Sequence, residues 1–173
     1  MAESSLTQIL AKRRVPLGFA CGALVIWLAR PTLSSLVWGS AIALCGEGLR
    51  VWAAGHLEKG REVTRSGPYR FTRHPLYLGS AVIGLGAAIA SNSLAVSALI
   101  ALYFVATVVS AVRSEEAGMR AAFGDQYAAY MESRARPVER SFSAGRAMMT
   151  NREYRSIAGL LVFAAILAFK ALR

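Results

Sequence analysis

The sequence predicts an all-α integral membrane protein: a bundle of about five transmembrane helices, with a cytoplasmic amphipathic helix between the fourth and the fifth. Three observations predict it. Apolar residues make up 55 % of the 173, and mean hydropathy is +0.41, yet the formal net charge is +10. Apolar runs of nearly bilayer length recur along the chain, and the basic residues gather just outside them. Soluble domains rarely combine these features. A membrane protein does so readily, because apolar residues fill the spans and Lys and Arg collect at their ends. The length suits one domain, residues 1–173.

A hydrocarbon core of about 30 Å takes roughly 20 helical residues. The first run, about 15–30, is a little short, but Arg30 can extend its stem and keep its head at the interface, and Pro31 stops the helix. Lys12-Arg13-Arg14 ahead of it resembles a signal peptide. Gly18-Phe19-Ala20-Cys21 lacks an aliphatic residue three places before the cysteine, and the apolar run continues past it, so an uncleaved span is expected. The second run, 33–54, carries Glu47 and Arg50 one turn apart, an ion pair or a functional pair at membrane depth. The third, 75–90, opens on Pro75, which suits a first helical position, and Ser80, Gly84 and Ala88 form a small stripe for close packing.

Ser91-Asn92-Ser93 is an uncharged turn into the fourth run, 94–112, so these two form an antiparallel hairpin. In segment 113–137, Met119, Ala122, Phe123, Tyr127, Tyr130 and Met131 fall on one side. This predicts an amphipathic helix lying on the membrane face, bent at Gly124-Asp125. The fifth run is 156–172.

Basic residues crowd the N-terminal arm, the stretch from His56 to Arg73 and the segment after Arg113. The positive-inside rule places all three in the cytoplasm of what reads as a bacterial inner membrane, with the N-terminus inside and the C-terminus outside. This distribution argues against nucleic acid, which needs a basic face on a soluble module. Cys21 and Cys45 lie within apolar runs, so neither a disulfide framework nor a cysteine metal site is expected. The oligomeric state is not readable.

The polar exceptions mark a candidate site. Pro75 is expected to hold His74 extended, beside the free N–H groups that open the third helix, with Tyr69, Arg73 and Tyr77 around it. Glu115 and Glu116 emerge where the fourth helix ends, and the hairpin brings them close to His74. Segments 56–77 and 113–137 together should form the cytoplasmic site.

Gly67-Pro68-Tyr69-Arg70-Phe71-Thr72-Arg73-His74-Pro75-Leu76-Tyr77-Leu78-Gly79 resembles the signature of the isoprenylcysteine carboxyl methyltransferase family. Glu115-Glu116, followed by Phe123-Gly124-Asp125-Gln126-Tyr127-Ala128-Ala129-Tyr130, resembles its second signature. The resemblance covers roughly Leu49 to Arg136. It implies a membrane methyltransferase using S-adenosylmethionine without a Rossmann domain, and no Gly-rich strand-to-helix fingerprint occurs here. It also implies that His74, Pro75, Leu76 and Tyr77 line the cofactor pocket, with Tyr69, Val63 and Thr64. Glu115 would approach from the other side, and His56 is a further candidate. Two features depart from the family pattern, both where substrate would be held. Arg134-Ala135-Arg136-Pro137-Val138-Glu139-Arg140 has one proline where two are usual, and a further span follows from Ile157.

Methyl transfer from a sulfonium needs an aligned, desolvated nucleophile. A lipid-like or prenylated acceptor would enter sideways from the bilayer. Carboxylate O-methylation calls for a cation, Arg113 or Arg73. N-methylation of a lipid amine calls for a proton acceptor, Glu116 or His74. Arg113 and Glu116 are thus the candidate catalytic residues, and Arg73, Tyr127 and Tyr130 would position substrate. Tyr69, Tyr77 and Tyr127 could hold the adenine or face the sulfonium. Two other classes share such a bundle: NADPH-dependent sterol or enone reductases, which usually need more spans, and a non-catalytic scaffold.

Overall fold

The computed structural model describes residues 18–173. Helices α1 (Gly18–Leu28), α2 (Leu33–His56), α3 (Pro75–Ser91), α4 (Leu94–Met131) and α5 (Tyr154–Ala171) make the bundle. A 3-10 turn, Gly67–Arg70, and a π turn, Arg146–Thr150, lie in the connections, and no strand occurs among the described residues. Lys12, Arg13, Arg14 and positions 15–17 of the first expected span lie outside the described residues.

Local chemistry sets the helix ends. Thr32 caps α2 in a reciprocal box with Ser35. Pro75 opens α3, Asn92 closes it in the left-handed conformation (φ 47°), and the Ser93 side chain accepts from Val96 N to start α4. The Arg30 amide donates to the Ser91 carbonyl, so the α1–α2 and α3–α4 connections lie together at one end, the turn end. Ala29, Ala90 and Leu167 form a buried cluster there, with Leu36 and Phe163 against it. Lys170 donates to the carbonyls of Ile26 and Trp27, both at 2.8 Å, a cation on the last turn of α1. The opposite, loop end carries His56, Pro75 and Tyr154.

The tightest pair is α2 on α3. A Cβ added to Gly86 would lie 2.5 Å from the Gly39 carbonyl oxygen and 2.6 Å from the Ala43 nitrogen, and one on Gly46 would lie 2.7 Å from the Gly79 oxygen. Only hydrogen side chains allow this approach. The expected Ser80–Gly84–Ala88 stripe is therefore not the face pressed on α2; Gly79, Gly86 and Ala90 are. Ser80 instead bonds Arg50, and Gly84 faces Ile100 of α4.

A second expectation is corrected at α4. Residues after Arg113 do not start a new helix at that point: they continue α4 as far as Phe123, and a second short helical stretch reaches Met131 beyond a kink at Gly124 (φ 43°, ψ −118°). The stretch is rich in Ala, Glu, Met and Arg, strong helix formers, and nothing interrupts it before that glycine. Leu94–Phe123 thus runs about 45 Å, well beyond a hydrocarbon core of about 30 Å. The bend falls where the sequence placed it.

Helices α4 and α5 are each long and apolar enough to cross a membrane, and α1 and α3 are shorter apolar helices. Large apolar side chains such as Trp27, Val37, Trp38, Leu102, Leu161 and Phe169 point outward. Patches of this extent suit lipid rather than water.

Substituting Gly86→Val should cost about 2 kcal/mol, because the added atoms meet backbone rather than a flexible side chain. Gly48→Ala adds a Cβ with nothing within 4 Å and should leave the melting temperature unchanged or raised. Thermal unfolding in detergent checks both.

Candidate active site

The loop end is built from two stretches far apart in sequence. The first begins with Gly67 at φ 55°, where a Cβ would strike the His56 ring, so the tight turn there depends on glycine. Pro68 and Tyr69 are buried within the following 3-10 turn. His74 then caps α3 with φ −129° and ψ 56°, not the fully extended conformation expected ahead of a proline. Its side chain makes no cap hydrogen bond. The ring turns instead to the second stretch, where Nε2 lies 3.1 Å from Glu116 Oε1. Arg73 Nη1 is 3.7 Å from the same oxygen, so one carboxylate of α4 faces a cation and an imidazole from the start of α3.

The surroundings are aromatic. The Tyr77 ring lies 5.9 Å from that of His74. Tyr130 donates to the Tyr69 carbonyl at 2.8 Å, and its ring is 6.2 Å from that of Tyr127. Arg73 also reaches the Met131 sulfur. Burial first, then the Glu115 carboxylate, pushes the Tyr69 phenol far above its usual range. Burial, then Tyr127, pushes Tyr130 up to about 12, and burial, then Glu116, raises Tyr127. All three phenols stay protonated donors at neutral pH. Glu115 and Arg113 are exposed, and Arg113 has no ion-pair partner among the described residues. Among the site residues expected from sequence, Tyr69, Arg73, His74, Tyr77, Glu115, Glu116, Tyr127 and Tyr130 therefore gather at this mouth, with Pro75 and Leu76 in the first turn of α3.

His56 ends α2, and Val63 and Thr64 lie in the connection that leads from it to the 3-10 turn. Val63 and Thr64 are buried, and Thr64 accepts from the Glu58 amide. His56 packs under Gly67, with Nδ1 3.2 Å from Ser66 Oγ and its ring against Phe142. It lines a separate open pocket with Trp52, Arg70 and Arg140. The segment after Arg136 is fastened to this side by Arg140 on Glu62 and Arg146 on Glu58.

Sequence reasoning missed the anchor beneath the mouth. Glu47 and Arg50 form the expected ion pair at 3.8 Å, but it is one part of a larger cluster. Arg50 also binds Glu153 through two nitrogens (2.9–3.2 Å), Ser80 Oγ at 2.6 Å and the Leu76 carbonyl at 3.5 Å. Ser156 donates to Glu47 at 2.8 Å. The available signal was Glu153 itself, one acidic residue between Arg152 and Arg155 just ahead of an apolar run.

Above this anchor an apolar cavity of about 480 Å³ opens between α1, α3, α4 and α5. Tyr77 belongs to its wall and touches His74, so the polar mouth and the apolar cavity are continuous.

Residues 16–126 match the phospholipid methyltransferase family, and the chain belongs to it, within the isoprenylcysteine carboxyl methyltransferase-like group of membrane methyltransferases. With its apolar helices, this makes it an integral membrane protein. The chain is 34 % identical over 101 residues to the cobalt-zinc-cadmium resistance protein CzcN of Cupriavidus metallidurans, covering 56 % of this chain and 44 % of that protein. It is 32 % identical over 94 residues to the nickel-cobalt-cadmium resistance protein NccN of Alcaligenes xylosoxydans xylosoxydans, covering 52 % and 42 %. The alignments thus span less than half the length of these curated relatives. No solved structure matches.

Burial, then Arg146, Arg140 and Arg70, lowers the pKa of His56 below its ordinary 6.5. As pH falls through 6.5, the unfolded chain takes up this proton before the folded one, so stability drops on the acid side. Melting temperatures between pH 7.5 and 5.5 should fall, and His56→Gln should remove part of that fall.

Proposed function

We propose that this member of the family transfers a methyl group from S-adenosylmethionine to a lipid-like acceptor held in the membrane. The reaction takes place at the loop end of the bundle, which faces the cytoplasm of a bacterial inner membrane crossed by all five helices. The observation that carries this reading is the meeting of His74 and Glu116, 42 positions apart, at the opening of an apolar cavity. The residues present suit a cationic donor: two carboxylates, Glu115 and Glu116, and the tyrosine rings at positions 69, 77 and 127. The basic residues at this end, from Lys59 to Arg73 and from Arg134 to Arg155, support the cytoplasmic placement.

When bound, S-adenosylmethionine supplies an electrophilic methyl group on a positively charged sulfur. The chain's own residues align the acceptor with it and keep water out. Pro75 fixes the start of α3, so His74 and Tyr77 present their rings from one rigid turn. Tyr130, bonded to the Tyr69 carbonyl, holds the end of α4 over them.

We favour a carboxylate acceptor, O-methylated as in isoprenylcysteine carboxyl methyltransferases. Arg113, unpaired and one turn before Glu116 on α4, is placed to hold an anion. The His74–Glu116 pair favours a second reading, N-methylation of a lipid amine, in which the pair takes the proton that the amine releases.

Radiolabelled methyl transfer on membranes containing the chain tests the proposal. His74→Ala and Glu116→Ala should each lower the rate about 100-fold. With a carboxylate acceptor, Arg113→Ala removes most activity and the product is a base-labile ester. With an amine, the product resists base and the rate climbs with pH. Tight binding of NADPH with none of S-adenosylhomocysteine would overturn the reading in favour of a reductase, and undiminished cellular function in His74→Ala and Glu116→Ala would favour a scaffold.

A further inference from the structure

We propose that the cavity between α1, α3, α4 and α5 receives one hydrocarbon chain of the acceptor, and that Gly22 and Gly159 set the length and bulk it accepts; this rests on the methyl-transfer reading above. The cavity begins at Tyr77, beside His74, and follows α3 to Ala87. That distance is about 15 Å, half of a hydrocarbon core of about 30 Å. It ends against Phe163, which lines the cavity and also packs on the Ala29–Ala90–Leu167 cluster. Its volume of about 480 Å³ lies within the usual range for ligand pockets.

The wall chemistry selects an apolar occupant. The two serines in the lining, Ser80 and Ser156, have their hydroxyls engaged, Ser80 with Arg50 and the Leu76 carbonyl, Ser156 with Glu47. Thr107 likewise donates to the Tyr103 carbonyl, and apart from the Cys21 thiol and the Tyr77 and Tyr103 phenols the space is faced by methyl, methylene and aromatic surface.

Two glycines make the room. Gly39, Gly46 and Gly86 are required by backbone contact, Gly18 abuts the Tyr103 hydroxyl, and Gly84 abuts Ile100. Gly22 of α1 and Gly159 of α5 also line the cavity, yet a Cβ on either meets nothing within 4 Å. Helix packing does not account for glycine at these two helical positions, where it weakens the helix. Larger side chains would fit there and fill the cavity. Gly159 also lies on α5, beyond the residues that match the family.

The test uses the full chain in vesicles of native-membrane lipid extract with radiolabelled S-adenosylmethionine, the labelled products being sorted by chain length with mass spectrometry. Gly22→Leu and Gly159→Leu should lower the longest-chain product at least 10-fold and shift label to shorter chains, with unchanged affinity for S-adenosylhomocysteine. Gly48→Leu, whose Cβ is equally unobstructed but outside the cavity, should match the unmodified chain. If a leucine variant loses S-adenosylhomocysteine binding, Gly22→Ala and Gly159→Ala carry the same comparison with a smaller shift. Product lengths and rates identical to those of the unmodified chain would overturn this inference. No labelled product from the unmodified chain would overturn the methyl-transfer reading instead.

Discussion

The guanidinium of Arg50 has little water to turn to, and every hydrogen-bond partner it finds is on another part of the fold, with Glu47 of its own helix completing the ion pairs at 3.8 Å. Glu153 meets it from the start of α5, and Ser80 and the Leu76 carbonyl meet it from the first turns of α3. An ionised group at this depth is costly unless paired on all sides, so the arrangement tolerates few alternatives. One side chain of α2 thereby fixes where α3 and α5 begin. Because His74 and Tyr77 stand on the first turn of α3, the mouth of the site inherits its position from that one cation. The glycine contacts between α2 and α3 serve the same end, since Arg50 reaches Ser80 only while the two backbones stay this close.

Around this anchor the loop end divides into two sides of different character. On one, Arg73, His74 and Glu116 converge beside aromatic rings and an apolar cavity. On the other, Arg140 and Arg146 close on Glu62 and Glu58 beside the buried His56. The first side carries polar groups that face a space, and the second satisfies its charges internally. This division separates a place for chemistry from a strap that holds the connection between α4 and α5 against α2.

Much of this was legible in the sequence. The helix ends follow from Pro75, Asn92 and Ser93, whose conformational demands are local. The approach of Glu116 to His74 follows from the hairpin alone, since a three-residue turn returns α4 alongside α3. Other features were not legible, because they depend on distant partners. The pairing of Arg50 with Glu153 joins residues 103 apart and adds to the ion pair that Arg50 makes with the nearer Glu47. The burial of His56 depends on Phe142 and Gly67 arriving from elsewhere. The length of α4 was misread because its polar pattern past Arg113 suits an interfacial helix as well as a rod continuing into water, and helix propensity favours the rod.

The two rods of the hairpin are joined at Asn92 and left open at the far end, and this makes them a lever. From that pivot to Glu116 the distance along α4 is about 33 Å, so a splay of only about 2° parts Glu116 from His74 by roughly 1 Å. A contact of 3.1 Å does not survive such a displacement. The angle between these two helices is thus a mechanical variable of the site itself.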